Sequence, residues 1–136
     1  MSVHSVITQL LRFGTVGIVN TLIDFAVLNA LVLLLAHPTG SQLLGCNAVA
    51  FICASLNSYF ANRTWTFAGN HDASAREFGI FLAISLVGLL LNSAVLWLLT
   101  GGTPASLIHL NLAKLAAAVV SMGWNFFGYR VLFRNR

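Results

Sequence analysis

The chain has 136 residues, 58% of them hydrophobic and 7% charged, with a formal net charge of +4. Soluble domains carry roughly 25% charged residues, so this composition excludes an ordinary water-soluble globule and makes lipid the expected solvent for most of the surface. Six arginines and one lysine, placed at the ends of apolar runs or alone within one, are a poor footprint for nucleic acid, and the short hydrophilic stretches leave no room for a soluble catalytic domain.

The first apolar run covers about residues 14–35, close to the ~20 residues that cross a ~30 Å hydrocarbon core as a helix. It is too long for the apolar part of a secretory leader, and it contains Asp24. Phe13, Gly17, Asn20 and Asp24 recur in steps of four, three and four, which places them on one helical face with Asp24 near the bilayer midpoint. His37-Pro38-Thr39-Gly40 then marks a tight turn.

The second run, about 43–61, carries a stripe of small and polar groups: Cys46, Ala50, Ala54, Asn57 and Ala61. Its cysteines, Cys46 and Cys53, lie ~10 Å apart along a helix, beyond the ~7 Å limit for a disulfide, and read as small packing residues. An aromatic-basic segment, Asn62-Arg63-Thr64-Trp65-Thr66-Phe67, follows; Trp65 and Phe67 suit a membrane interface. The third run, about 79–100, offers Ser85, Gly88 and Asn92, and ends at the turn Gly101-Gly102-Thr103-Pro104. In the fourth, about 108–129, Asn111, Lys114, Ala118, Ser121, Asn125 and Gly128 advance in steps of three and four. None of the runs alternates as a lipid-facing barrel strand does. The expected fold is therefore all-α, a single transmembrane domain over residues 1–136 with four spans.

Arg12 precedes the first span, Arg63 and Arg76 lie between the second and third, and Arg130, Arg134 and Arg136 follow the fourth, while the other two connections hold no Lys or Arg. This distribution predicts that both termini and the central connection are cytoplasmic, where the basic residues meet anionic lipid headgroups. That side also makes the Asn62-Arg63-Thr64 glycosylation pattern accidental. The chain further reads as two copies of one helical hairpin running in the same direction. Arg12-Phe13-Gly14 and Arg76-Glu77-Phe78-Gly79 open them; Phe60-Ala61-Asn62-Arg63 and Phe127-Gly128-Tyr129-Arg130 close them. Parallel repeats place a binding site at their interface.

Charged groups at membrane depth cost ~2.5–3.5 kcal/mol each, so they need partners or a role. Lys114 falls ~9 Å below the outer end of its span and Asp24 ~16 Å below the outer end of the first, a difference that a lysine side chain covers. Two readings follow: a structural Asp24–Lys114 bridge, or a pair lining a hydrophilic groove in which Lys114 meets an anionic group. Arg63 and Arg130, at matching inner ends, are suited to bind phosphate or to anchor the topology. His4, His37, His71 and His109 are dispersed and form no metal-ligand spacing. No nucleotide loop or hydrolase signature is present. Neither cofactor, metal nor catalysis is expected.

The stretch from Arg12 through Asn20 to Asp24, Asn57 with the Asn62-Arg63-x-Trp65-x-Phe67 element, Glu77-Phe78, and the segment from Asn125 to Phe133 together resemble the GtrA-like family over nearly the whole chain. The second copy departs from the Asn-Arg-x-Trp-x-Phe element: Tyr129 stands for the Asn, Leu132 for the Trp, and Phe133 arrives one residue early. The resemblance implies a bacterial cytoplasmic-membrane protein of cell-surface polysaccharide synthesis that moves a polyprenyl-phosphate-linked sugar, or assists a membrane glycosyltransferase. On that reading Asn20, Asn57, Asn92 and Asn125 hydrogen-bond sugar hydroxyls, Arg63, Arg130 or Lys114 meets phosphate, and Asp24 modulates Lys114. The alternatives are a scaffold that recruits a glycosyltransferase through its cytoplasmic aromatic-basic segments, and a small multidrug-type proton-coupled exporter, against which Lys114 weighs because it would repel cationic drugs. Four spans barely enclose a headgroup, so a homo-oligomer is expected.

Overall fold

A computed structural model describes residues 2–66 and 74–134. Within them the chain forms α1 (Val3–Leu34), α2 (Ser41–Ala61), which runs on into a π-helical turn (Asn62–Thr66), α3 (Ala75–Thr100) and α4 (Leu107–Arg134). Four segments, Val3–Leu34, Ser41–Thr66, Ala75–Thr100 and Leu107–Leu132, are long and apolar enough to cross a membrane, and no strand is present among the described residues. Phe67, His71 and Arg136, singled out above, lie outside those residues.

The helices outrun the apolar stretches, because hydropathy measures the lipid-crossing length whereas caps decide where a helix stops. α1 starts at Val3 instead of near residue 14, since the Ser2 hydroxyl accepts the Ser5 N–H at 3.2 Å and nothing from there to Arg12 breaks a helix. α3 starts at Ala75, where the Ser74 hydroxyl accepts the Glu77 N–H at 3.1 Å, the Ser-x-x-Glu pattern of a helix start. α4 continues to Arg134, past the expected end near residue 129.

The α1–α2 and α3–α4 turns are both tight, at 35–40 and 101–106. Gly101 ends α3 in the left-handed region at φ 61°, and Gly102 (φ 76°) lies so close to Trp97 that a Cβ would sit 2.6 Å from its ring. The Gly40 N–H donates to the Gly102 carbonyl at 2.8 Å, so the two turns are joined. This end of the bundle is called the turn end below; the other, with both chain termini, is the termini end.

α1 packs extensively on α2 and α3 on α4, while α1–α4 and α2–α3 touch far less. One apolar cluster, including Leu28, Val32, Leu43, Ala50, Leu96, Leu110 and Ala117, fills the turn-end half. A second, Phe13, Tyr59, Phe81, Tyr129 and Leu132, fills the termini end. The outside is Leu, Ile, Val and Phe: Leu34 and Leu98 are each 80% exposed. Asp24, Asn47, Glu77, Asn92, Lys114 and Ser121 are buried instead. This inversion is what a lipid solvent demands.

At Gly128 a Cβ would approach Ile84 Cγ2 to 2.5 Å, so the Ile84 side chain of α3 rests directly on the α4 backbone there. Gly128→Ala is expected to destabilise the fold by about 1–3 kcal/mol, and Ile84→Ala in the same chain to relieve most of the loss. SDS-induced unfolding in mixed micelles measures both; an unchanged midpoint for Gly128→Ala contradicts the packing.

Candidate functional site

Lys114 is 0% exposed. Its ammonium carries three protons and has no water to give them to, so the fold must supply acceptors. It does so from every other helix. Nζ lies 2.7 Å from Asp24 Oδ2 of α1 and donates to Asn47 Oδ1 of α2 at 2.7 Å and Asn92 Oδ1 of α3 at 3.0 Å. Asn47 Nδ2 in turn donates to Asn92 Oδ1 and to the Ser93 hydroxyl, both at 3.1 Å. Asn92 Nδ2 donates to the Ser121 hydroxyl at 3.1 Å, which passes its own proton to the Ala117 and Ala118 carbonyls. All three lysine donors are engaged, so in this conformation none is open to an anion.

Asp24 is only half used. Its Oδ2 holds Lys114, while Oδ1 is buried and has no hydrogen-bond partner. The residue also lines a half-open cavity of about 60 Å³. α1 contributes Phe13, Gly17, Asn20, Thr21 and Asp24 to its wall, α2 Phe51, Ala54, Ser55 and Ser58, and α4 Ala118, Ser121, Met122, Asn125 and Tyr129. The phase of the α1 stripe explains the first set: Phe13, Gly17, Asn20 and Asp24 all face it. Such a volume holds roughly two waters.

Of the residues marked in the sequence, Asp24, Asn92 and Lys114 meet in the hub. Asn20 and Asn57 meet each other, Asn57 Nδ2 donating to Asn20 Oδ1 at 2.7 Å, and Asn20 reaches the cavity. Asn125 lines the same cavity; its Oδ1 has no partner and lies over Gly88, where a Cβ would come within 2.6 Å of it. Asn111 belongs to a separate contact, a reciprocal amide pair with Asn29 at 2.8 and 2.9 Å joining α1 to α4.

The arginines lie apart, at the termini end. Arg63 Nε is 2.9 Å from Glu77 Oε1, an oxygen that also accepts the Tyr59 hydroxyl at 3.3 Å. Arg12 donates to the Trp65 carbonyl at 3.0 Å and its guanidinium lies 5.8 Å from the Trp65 ring centroid, combining a carbonyl at the end of the π-helical turn with a cation–π contact. The Asn-Arg-x-Trp element is thus a π-helical turn fastened to α1 and α3. Arg130 is half-buried and joins no hydrogen bond or ion pair among the described residues.

Sequence reasoning missed Asn47 and Ser93. Asn47 sits at the register of Ala50, Ala54 and Ser58 in steps of three and four, so the stripe on α2 was visible but was drawn through its neighbour Cys46. Glu77 was legible as one of three acidic residues in the chain and as the natural partner of a basic residue at the same membrane end.

The chain has relatives among known proteins. The sequence profile described as GtrA/DPMS, transmembrane domain matches residues 12–133. The chain is similar to the uncharacterized membrane protein YngA of Bacillus subtilis (strain 168), at 35% identity over 120 residues, covering 88% of this chain and 75% of that protein. No solved structure matches significantly.

Removing one partner of a buried ion pair strands the other, at about 3–5 kcal/mol, whereas replacing both with apolar groups is often close to neutral. Lys114→Met alone is therefore expected to lose most of the protein's resistance to SDS unfolding, and Asp24→Leu with Lys114→Met to regain much of it. Equal loss in the single and double variants contradicts the pairing.

Proposed function

The chain belongs to the GtrA/DPMS transmembrane-domain family, and on that premise we propose that it moves a polyprenyl-phosphate-linked sugar across the bacterial cytoplasmic membrane for cell-surface polysaccharide synthesis. Membership itself points to polysaccharide or glycolipid synthesis. The observation that carries the finer reading is the half-open cavity at membrane depth, polar on one helical face each of α1, α2 and α4. Hydrophilic surface inside a bilayer is costly, and a substrate with a polar head is a reason for it. The apolar tail of such a lipid has the Leu- and Phe-rich outside of the bundle to run along.

In this reading both termini and the α2–α3 connection face the cytoplasm, and the α1–α2 and α3–α4 hairpins are parallel repeats. Their sparse mutual contacts suit relative movement, since little packing is lost when they part. The cavity in its present form admits water-sized groups, so passage of a headgroup requires such parting. Arg130, without a partner among the described residues, is the best-placed cation for the phosphate. Lys114 serves as the pivot that keeps the four helices together. The exporter alternative fits less well, because the carboxylate a cationic drug would need is already held by Lys114.

The scaffold reading has its own support. Trp65 and Phe60, at the junction of α2 and the π-helical turn, are exposed at 44% and 62%, offering aromatic surface at the termini end for a glycosyltransferase.

Purified protein in vesicles is expected to move a polyprenyl-phosphate-linked sugar between leaflets, read as protection from or access to a membrane-impermeant oxidant. The folded Asp24→Leu/Lys114→Met double variant is expected to be at least about tenfold slower, because the cavity loses its carboxylate. No movement by the wild-type protein, combined with co-purification of a glycosyltransferase that is lost on Trp65→Ala, replaces the translocation reading with the scaffold.

A further inference from the structure

Most polar groups lining the cavity beside Asp24 are engaged, Thr21, Ser58, Ser121 and Tyr129 among them, but a few keep unspent hydrogen-bonding capacity, and their chemistry selects among ligands. Asp24 Oδ1 is buried without a donor. Asn125 and Ser55, both on the cavity wall, form no side-chain hydrogen bond among the described residues, and Asn20 uses only its Oδ1, leaving its amide nitrogen. The set thus combines a carboxylate oxygen, two amides and a hydroxyl.

A phosphate does not fit there. The free oxygen of Asp24 is an acceptor with no proton to give a phosphate, and the cation paired with it, Lys114, has every proton engaged. A metal or organic cation is opposed too, because among the described residues Asp24 alone brings an acidic group to the cavity and its charge is already compensated at 2.7 Å. What remains is a neutral group rich in hydroxyls, each able to donate and accept. An O–H that reaches Asp24 Oδ1, an atom buried in this conformation, satisfies it, and the Asn20 and Asn125 amide nitrogens each have a proton to donate to a sugar hydroxyl.

We propose that this cavity is the sugar-recognition subsite: the hydroxyl-bearing edge of the sugar enters against Asp24, Asn125, Asn20 and Ser55, into a space the size of roughly two waters, while the lipid phosphate stays outside it. The inference rests on the translocation reading for the identity of the substrate, and adds which part of that substrate the membrane interior reads. It gives Asp24 a double duty: one oxygen fixes the hub and the other reads the sugar. It also assigns a purpose to Gly88, whose missing side chain leaves room for the Asn125 amide.

The test uses the full chain in detergent with polyprenyl phosphates carrying glucose, galactose or mannose, and the same lipid phosphate without sugar, compared by native mass spectrometry. At least one sugar lipid is expected to bind about tenfold or more tightly than the bare lipid phosphate, the scale of one or two buried hydrogen bonds. Asn125→Leu removes the amide from α4, and Gly88→Ala pushes it aside from α3. Each is expected to bring the ratio near one while binding of bare lipid phosphate is unchanged. The two changes come from different helices, so either one that folds decides the question.

A ratio that survives in the folded variant, or a wild-type protein that never distinguishes the sugar lipids from the bare phosphate, overturns the subsite. Lost discrimination in a protein that moves no lipid between leaflets keeps the subsite and rejects translocation. Translocation whose sugar preference is indifferent to both variants does the reverse.

Discussion

A single ammonium group sets the architecture. Lys114 is the chain's one lysine, it is wholly buried, and lipid supplies nothing to accept its protons. A charged group in that position is tolerable only if the protein surrounds it with acceptors. Asp24, Asn47 and Asn92 come from three different helices and converge on it within 2.7 to 3.0 Å. Because each bond is directional, the fourth helix cannot shift or rotate without breaking at least one of them. The hub thereby fixes the depth and rotation of all four helices, in a bundle where lipid-facing Leu and Ile would be equally content in many arrangements.

The consequence for function runs through Asp24. With both carboxylate oxygens on Lys114, the bundle would have a sealed structural bridge and an interior of no further use. Instead one oxygen remains buried without a partner, on a residue that also lines a small, partly polar cavity. The same residue therefore holds Lys114 and lines the cavity. Packing adds to this division. The tight contacts lie within each hairpin, and the cavity sits where α1 and α2 meet α4 across the looser seam. A movement that opens the seam must pivot about the hub, which is the part of the interface richest in hydrogen bonds.

Much of this was legible in the chain. Apolar run length yields the four spans, and steps of three and four yield the inward faces on α1 and α4, because a helix buries one stripe whatever its sequence detail. Depth along two antiparallel helices brought Asp24 within reach of Lys114. What the pattern could not supply was partner choice. Asn47 and Cys46 are adjacent, and only the packed structure decides which of them faces the lysine. Arg63 and Arg130 occupy matching positions in the sequence, yet one is held by Glu77 and the other meets no described partner, a difference created by tertiary contact. The π-helical turn at Asn62–Thr66 has no periodicity signal of its own, since five residues are too few to reveal a changed repeat. The long start of α1 escaped because hydropathy ends where lipid does, not where the helix does.

The hub can be observed directly because the chain has one lysine. Protein labelled with 15N-lysine and 13C in its other residues gives one side-chain nitrogen signal in lipid bilayers by solid-state NMR. An ammonium resonance is expected, with through-space contacts to the Asp24 carboxylate and to the side-chain carbonyls of Asn47 and Asn92, and with slow exchange with water. A neutral amine, or an ammonium in rapid exchange with water and without contact to Asp24, would contradict the hub.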